Sequence, residues 1–268
     1  MHEVTVISQA PQTIMTDSSI AIIPIPFLSD NYAWLMRSGT EAAVVDPGEA
    51  GPIQRYVREH SLHLSAILVT HHHGDHCGGV GELKKAYGCT VIGFKDRRMP
   101  FVDEVVENGD KRTILGISMR AMAAPGHTLT HAVYFFPELK ALFTGDTLFG
   151  AGCGRLFEGT AEQMLASLIA CASTGDDVRV YAGHEYTEEN LRFAQSVEPG
   201  NTAIQTRLLE VQKQLRSGQP SLPSLISVEK AVNPFLRTDS LLIRKQTSLS
   251  NASNVEVFAE LRKRKDAY

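Results

Sequence analysis

The sequence is poor in cysteine, and its 26 basic residues are outnumbered by 30 acidic ones. The cysteines are scattered and form no C-x-x-C pair; they are Cys77, Cys89, Cys153 and Cys171. This pattern argues against a disulfide-stapled fold and favours reduced, packed thiols in a cytoplasmic protein. The net charge of −4 argues against a general nucleic-acid-binding surface.

Long hydrophobic runs are also missing. Residues 20–28 are apolar but too short to cross a membrane, and Pro24 and Pro26 interrupt them. Residues 1–19 lack the basic start of a secretory signal, so we expect a flexible N-terminal extension and a cytoplasmic location. A hydrophobic content of 43% is enough for the core of one large domain or of a domain and a half.

Short apolar runs alternate with helical patterns over the first two-thirds of the chain. The predicted strands cover residues 21–27, 32–36, 42–45, 66–69, 90–94, 117–123, 132–136 and 141–144. The predicted helices cover residues 52–60, 78–87, 161–172, 188–197, 202–216 and 255–265. We therefore predict an α/β or α+β sheet domain over residues 20–186 and a smaller helical domain over residues 187–268.

The most informative stretch is residues 70–76, T-H-H-H-G-D-H, which follows a short buried strand. In extended chain, alternate residues face the same way, so His71 and His73 can face one metal ion while the residue between them points elsewhere. A turn at the next glycine places Asp75 and His76 at the mouth of the following helix, beside the same site but displaced along it. Four histidines and an aspartate in six positions have no evident packing role, and a strand-end loop is where sites are usually built. The motif predicts a metal site with room for two ions.

These residues alone cannot complete such a site, since each ion needs three or more protein ligands and a water position. At three other strand ends an apolar run is followed by a glycine and then by His127, Asp146 or His184. The glycine lets the backbone turn sharply and aims the next side chain over the strand ends. Each motif alone is weak, and His127 by itself is more typical of a turn, but their recurrence predicts that they supply further ligands.

Together, T-H-H-H-G-D-H, P-G-H-T, T-G-D-T-L and G-H-E-Y-T resemble the metallo-β-lactamase fold, and their order resembles its glyoxalase II branch, the hydroxyacylglutathione hydrolases. The resemblance runs from about residue 20 to residue 268. It includes V-D-P-G at residues 45–48, G-C-G-R-L-F-E-G at residues 152–159 and N-P-F-L-R at residues 233–237. It implies an αββα sandwich followed by a helical C-terminal domain, in agreement with the predicted elements.

Carried over position by position, the resemblance implies two divalent metal ions. One ion is held by His71, His73 and His127, the other by Asp75, His76 and His184, and Asp146 bridges them. The two carboxylates, Asp75 and Asp146, then act through a hydroxide shared by the ions. Two dications, two carboxylates and one hydroxide sum to about +1, which favours a developing oxyanion. The ligand set contains only nitrogen and oxygen and suits zinc foremost, with iron and manganese as alternatives.

Two residues near this motif have simpler interpretations. Asp46 either orients a metal ligand or stabilises the turn before Pro47 and Gly48, and the two interpretations have equal weight. Cys77 is expected to be a small packed residue whose side chain points away from the metal.

The resemblance implies hydrolysis of the thioester S-D-lactoylglutathione to glutathione and D-lactate, the second step of methylglyoxal detoxification. Thiolates leave readily, so no separate protein acid is expected. We expect Arg262 and Lys265, three apart on the last helix, to bind a glutathione carboxylate, although cations there also complement the helix dipole. Arg155, Tyr186 and Phe157 are expected to contact the peptide, although Arg155 is alternatively a surface residue and Tyr186 a packed one. Phe157 stands where some members carry tyrosine, so one hydroxyl donor is missing.

Other functions fit some of the same residues. A persulfide dioxygenase of this fold, with a single iron, shares the histidine motif, but the helical segment after residue 187 resembles the hydrolase. A lactonase or β-lactamase is disfavoured because β-lactamases are normally exported, and a nuclease is disfavoured by the net charge. A metal-storage or structural zinc protein would have closed ligand shells, whereas this set leaves open positions. We expect a monomer with no nucleic-acid or membrane partner.

Overall fold

The computed structural model describes residues 14–15 and 20–268. The extension predicted for residues 1–19 therefore lies, apart from Ile14 and Met15, outside the described residues. The chain forms two compact units: unit 1 comprises Met1–Ala123 and Ala132–Gly145, and unit 2 comprises Ala124–His131 and Asp146–Tyr268. This division differs from the domain boundary after residue 186, which remains a prediction.

Unit 1 is rich in strands. They are β1 (Ile14–Met15), β2 (Ile20–Phe27), β3 (Asn31–Ser38), β4 (Glu41–Val45), β5 (His63–Val69), β6 (Thr90–Gly93), β7 (Glu104–Val105), β8 (Lys111–Ile114), β9 (Ile117–Ala123), β10 (Ala132–Phe136) and β11 (Ala141–Gly145). The helices of this unit are α1 (Ala50–Glu59), α2 (Gly74–Cys77) and α3 (Val80–Tyr87).

Two sheets make up the middle of unit 1. Strands β1 to β7 lie side by side in chain order, antiparallel from β1 to β4 and parallel from β4 to β7. Strands β8 to β11 form an antiparallel meander. Because β4 and β5 are parallel, their carboxyl ends meet at one edge of the sheet, where Asp46 and Thr70 emerge.

The core of unit 1 follows from the apolar pattern of its strands. Strands β4 and β5 are buried almost throughout, as expected of parallel strands covered on both faces. Apolar residues of α1 and α3, among them Ile53 and Leu83, belong to the same buried cluster. Tyr134 of β10 is fully buried, and its hydroxyl donates a hydrogen bond of 2.6 Å to the carbonyl oxygen of Val69 in β5. That bond joins the second sheet to the strand that leads into the histidine motif.

Unit 2 contains the helical part of the chain. Its helices are α4 (Ala161–Ala172), α5 (Thr187–Val197), α6 (Thr202–Arg216), α7 (Ile226–Val232), α8 (Leu241–Thr247) and α9 (Asn254–Asp266). Its strands are β12 (Leu148–Phe149), β13 (Gly152–Cys153), β14 (Arg179–Ala182) and β15 (Ser224–Leu225). Helices α4 and α9 both begin with a capping box, which satisfies backbone N–H groups of the first turn. Among the described residues, no helix is both long and apolar enough to cross a bilayer.

Each predicted strand and helix has a counterpart among these elements. The helix predicted over residues 78–87 corresponds to α3, which begins two residues later, at Val80, and the separate one-turn helix α2, which was not predicted, begins at Gly74. Glycine tolerates the helical conformation, and the Gly78 N–H donates to the Gly74 carbonyl oxygen at 2.7 Å. Asp75 and His76 therefore lie on a helical turn. The prediction also omitted β1, β7, β8, β12, β13, β15, α7 and α8.

Candidate metal centre

The loop after β4 packs tightly against α2. A Cβ atom on Gly48 would lie 2.1 Å from the carbonyl oxygen of Asp75 and 2.6 Å from the ring of Phe27. The N–H of Gly79 donates to the carbonyl oxygen of Pro47 at 2.9 Å, on the other side of the same turn. Glycine at position 48 thus allows the close approach that places α2 at the carboxyl ends of β4 and β5.

Asp46 accepts hydrogen bonds from the histidine motif. Its carboxylate accepts from the Thr70 N–H at 2.7 Å, from the Thr70 hydroxyl at 2.6 Å and from His76 Nδ1 at 2.9 Å. The turn at Asp46 is closed by backbone instead, since the Gly48 N–H donates to the Asp46 carbonyl oxygen at 3.0 Å. These contacts favour the first of its two interpretations, in which Asp46 orients a metal ligand. With Nδ1 bonded to Asp46, Nε2 is the atom of the His76 ring that could bind an ion.

His71 is oriented through the same network. Because the Thr70 hydroxyl donates to Asp46, its oxygen can accept from His71 Nδ1 at 3.0 Å. This leaves His71 Nε2 facing His73 Nδ1 at 3.0 Å. The His72 ring meets the His73 ring edge-on, with centroids 4.7 Å apart, and its Nδ1 lies 3.9 Å from a carboxylate oxygen of Asp96.

Asp75 and Cys77 flank His76 on α2. The Asp75 Oδ2 atom is 3.6 Å from His76 Nε2, and the Asp75 side chain is 36% exposed. Cys77 is buried, and its thiol donates to the carbonyl oxygen of His72 at 3.2 Å. Burial, with the nearby carboxylates of Asp46 and Asp75, raises the pKa of the Cys77 thiol to about 11. Cys77 is thus a packed, protonated thiol.

In unit 2, Asp146 lies between two imidazoles. Its Oδ2 is 3.4 Å from His127 Nε2, and its Oδ1 is 3.4 Å from His184 Nε2. All three side chains are buried. The Arg155 carbonyl oxygen, 2.9 Å from His127 Nδ1, can only accept, so the Nδ1 carries the proton. In the neutral ring, the lone pair of His127 Nε2 then points at a carboxylate.

This arrangement fits a divalent ion. A lone pair that faces a buried carboxylate is repulsive, and a metal ion between the two atoms would remove that repulsion. Two ligands that lie about 2.1 Å from a tetrahedral ion are about 3.4 Å apart, which matches both Asp146 distances. Unit 1 independently contains a buried group of possible ligand atoms within 4.8 Å of one another, formed by Asp46, His71 and His76. The donor set contains no thiolate, which suits zinc, iron or manganese.

Two residues that support Asp146 were missed in the sequence. His131 is fully buried, and its Nε2 accepts a hydrogen bond from the Asp146 N–H at 3.1 Å. A Cβ atom on Gly154 would lie 2.0 Å from the Asp146 carbonyl oxygen and 3.0 Å from His127 Nδ1. His131 lies four residues beyond the P-G-H-T histidine, and Gly154 belongs to the G-C-G-R segment. Gly154 thus lies within one of the motifs and His131 just outside another, and neither directly follows a glycine at a strand end, which is the pattern that predicted the ligands.

Aromatic rings flank the histidines of unit 2. The Tyr186 ring stacks on His184, with centroids 4.7 Å apart and planes 6° apart, and Phe149 meets both rings edge-on. Phe157 is 62% exposed and lies 5.2 Å from the His127 ring centroid. Two of the predicted peptide contacts therefore adjoin the predicted metal ligands.

The predicted cations differ in exposure. The Arg155 side chain is 67% exposed. Arg262 is only 5% exposed, and its guanidinium donates to the Cys153 carbonyl oxygen at 2.8 Å and to Asp266 at 2.9 Å. Lys265 forms an ion pair with Glu189 on α5. Neither residue of α9 is a freely solvated cation.

Comparisons with known proteins decide the family. Residues 185–268 match the family model described as hydroxyacylglutathione hydrolase C-terminus, and residues 28–184 match the metallo-beta-lactamase superfamily. A hydroxyacylglutathione hydrolase of Pseudomonas putida (strain GB-1) is 46% identical over 258 residues, covering 93% of this chain and 100% of the relative. The chain belongs to the hydroxyacylglutathione hydrolase family.

Solved structures agree on the fold of this family member. ETHE1 from Myxococcus xanthus is 24% identical, with a TM-score of 0.55 over 85% of this chain and 99% of that chain. A structure of TTHA1623 in a di-iron-bound form is 26% identical, with a TM-score of 0.52 over 61% of this chain and 91% of that chain. The predicted metallo-β-lactamase fold with a helical C-terminal region is thereby confirmed. Within this fold, the chain carries groups of His and Asp side chains that could bind divalent metal.

Proposed function

We propose that this member of the hydroxyacylglutathione hydrolase family hydrolyses the thioester bond of S-(2-hydroxyacyl)glutathiones such as S-D-lactoylglutathione. The products are glutathione and a 2-hydroxy acid, here D-lactate, as in the second step of methylglyoxal detoxification. The observation that carries the proposal is the likeness over nearly the full length to relatives named for this reaction, including the match of residues 185–268 to their C-terminal model.

The persulfide dioxygenase alternative is weaker. The likeness to ETHE1 is 24% identity, which supports a shared fold and no particular reaction. The match to the hydrolase C-terminal model covers the helical segment by which the two reactions were distinguished in the sequence.

Two divalent ions, zinc foremost, are part of the proposal. In it, His71, His73 and His127 bind one ion, Asp75, His76 and His184 bind the other, and Asp146 is shared. All seven side chains are of metal-ligating types. The geometry around Asp146, with a histidine nitrogen 3.4 Å from each carboxylate oxygen, supports the shared role. The di-iron-bound form of TTHA1623 supports the number of ions.

The protein's contribution is to present ligand atoms in fixed orientations. When bound, the ions would lower the pKa of a coordinated water to about 7 and polarise the thioester carbonyl. The Asp46 carboxylate accepts a hydrogen bond from Nδ1–H of His76, and the Arg155 carbonyl oxygen accepts one from Nδ1–H of His127. Each bond fixes its ring so that Nε2 is presented to an ion. The leaving group is a thiolate, so no side chain is assigned the role of proton donor.

Recognition of glutathione is assigned to the residues around His127 and His184. Arg155 offers an exposed guanidinium that can bind a carboxylate, while the Tyr186 and Phe157 rings offer apolar walls. Lys265 and Arg262 remain in the proposal as carboxylate-binding residues. Because the Arg262 guanidinium already contacts Asp266, binding there requires a substrate carboxylate to replace that of Asp266.

A cytoplasmic location and a monomeric state complete the proposal, with no nucleic-acid or membrane partner. The four cysteines are free and buried, which suits a reducing compartment. A glutathione thioester as substrate is consistent with that kind of compartment.

A substrate panel tests the proposed reaction. We expect the purified, metal-loaded protein to release thiol from S-D-lactoylglutathione far faster than from D-lactoyl-coenzyme A, which has the same acyl group and bond. Oxygen uptake with glutathione persulfide is measured in parallel and is expected to be absent. Oxygen uptake without thiol release would favour the dioxygenase, and equal rates on both thioesters would remove glutathione as the recognised group.

A further inference from the structure

We propose that Asn31 is the positioning residue for the Asp75 carboxylate. The inference rests on the ligand set proposed above, in which Asp75 binds one of the two ions. Asn31 is the first residue of β3 and is only 5% exposed. Its Nδ2 atom donates to the Asp75 Oδ2 at 3.1 Å and lies 3.5 Å from the Asp75 carbonyl oxygen. A buried amide thus reaches both the side chain and the main chain of a residue 44 positions away.

Asp75 is the proposed ligand of α2 that most needs such support. Its side chain is 36% exposed, whereas the neighbouring His76 is 1% exposed and is held by Asp46. An exposed carboxylate on a single helical turn can adopt several rotamers, and binding an ion in one of them costs conformational entropy. A fixed donor that selects one rotamer in advance reduces that cost, as other orienting partners of metal ligands do.

Asn31 is itself held in place. It pairs with Phe27 at the end of the β2–β3 hairpin, and the Phe27 ring lies against Gly48. Gly48 in turn lies against the carbonyl oxygen of Asp75. The hairpin end and the loop after β4 therefore enclose the Asp75 backbone, and Asn31 adds a hydrogen bond to its carboxylate. Because the amide is neutral, it orients the carboxylate while leaving its negative charge to the ion.

Two substitutions remove this donor. Asn31→Leu keeps the branching and the number of side-chain heavy atoms and loses the N–H, and Asn31→Ala also shortens the side chain. We expect both to weaken the binding of one ion by about 10- to 100-fold and to leave the other ion bound. At limiting free zinc, the metal content should fall from two ions per chain toward one. The kcat value for thioester hydrolysis should fall, while KM changes little.

A matched control separates positioning from general stability. Asn201 is a partly buried asparagine whose Nδ2 likewise donates to an oxygen atom, the carbonyl oxygen of Ala231 at 2.9 Å, and it caps α6. Asn201→Ala should lower the free energy of unfolding and leave the binding of both ions unchanged. Metal content at buffered free zinc and the free energy of unfolding in urea are measured for the parent and all three variants.

The outcomes distinguish this inference from the ligand set beneath it. If the parent, Asn31→Leu and Asn31→Ala all bind two ions equally tightly, the role of Asn31 is overturned and the ligand set is not. Loss of stability without loss of metal affinity in the two Asn31 variants also overturns it, because that is the pattern of the Asn201 control. A parent that binds fewer than two ions overturns the ligand set and this inference together.

Discussion

Replacing Asp46 by asparagine should weaken metal binding through a change in the proton position on His76. Asparagine has nearly the same shape, but one carboxylate oxygen becomes an NH₂ group, which can only donate. An NH₂ group at the Oδ2 position faces both the Thr70 hydroxyl and His76 Nδ1. The hydroxyl can rotate to accept a hydrogen bond from it. His76 Nδ1 can accept only if the ring carries its proton on Nε2, the atom that is proposed to bind the ion.

The size of the effect follows from the hydrogen bond that this substitution removes. A hydrogen bond to a charged group contributes about 1.5–3 kcal/mol. Removal of the bond between Asp46 and His76 corresponds to a decrease in metal affinity of about 10- to 100-fold, the range typical of partners that orient metal ligands. Competition titration of Asp46→Asn with a zinc chelator measures this decrease directly, for each ion.

A control for this titration is Asp96, in the loop after β6. The Asp96 side chain is 5% exposed and lies beside His72, which is not a proposed ligand. Asp96→Asn removes a buried carboxylate next to a histidine without touching His76, so both ions should bind with parental affinity. The reasoning is refuted if Asp46→Asn binds both ions as tightly as the parent, or if the two variants lose affinity equally.

Three further predictions concern unit 2. Gly154→Ala should lower the free energy of unfolding in urea by about 1–3 kcal/mol and abolish most activity, because the new Cβ would lie 2.0 Å from the Asp146 carbonyl oxygen; a fully active, stable variant would contradict this. Phe157→Tyr restores a hydroxyl donor and should lower KM for S-D-lactoylglutathione by about 2- to 10-fold with kcat unchanged, as expected for one net hydrogen bond; an unchanged KM would refute that role. Burial raises the pKa of Glu229 above its ordinary value of 4.5, so the native state binds its proton more tightly than the unfolded state does. The stability of the parent relative to Glu229→Gln should therefore be highest below the unfolded pKa and fall as the pH rises through the native pKa, and a pH-independent difference between their urea unfolding free energies would show otherwise.

The main elements could be predicted because their signal is local. Strands such as β4 and β5 are continuous apolar runs, and α4 and α6 show helical periodicity with polar caps. Strands β7, β12, β13 and β15 have two residues each, too few for any periodicity. Helix α2 has four residues and begins with a glycine, which in sequence indicates a turn.

The candidate ligands were also accessible from sequence, because each follows an apolar run and most follow a glycine. The residues that support these ligands could not be predicted from the sequence in this way. Asn31 and His131 are polar residues whose function depends on contacts with chain 44 and 15 residues away. The three hydrogen bonds of Asp46 to Thr70 and His76 favour its orienting interpretation, and they join residues too far apart in the sequence to be predicted from it. Arg262 was expected to face substrate, and its burial against the Cys153 carbonyl oxygen has no local signature.

The most direct test of the proposed metal-dependent thioesterase is thiol release from S-D-lactoylglutathione before chelation, after chelation and after metal is restored. The account predicts rapid release that is lost on chelation and recovered when about two equivalents of zinc, iron or manganese per chain are returned. Release that persists at the full rate in the chelated, metal-free protein would contradict the account. So would the absence of release from a protein shown to hold two ions.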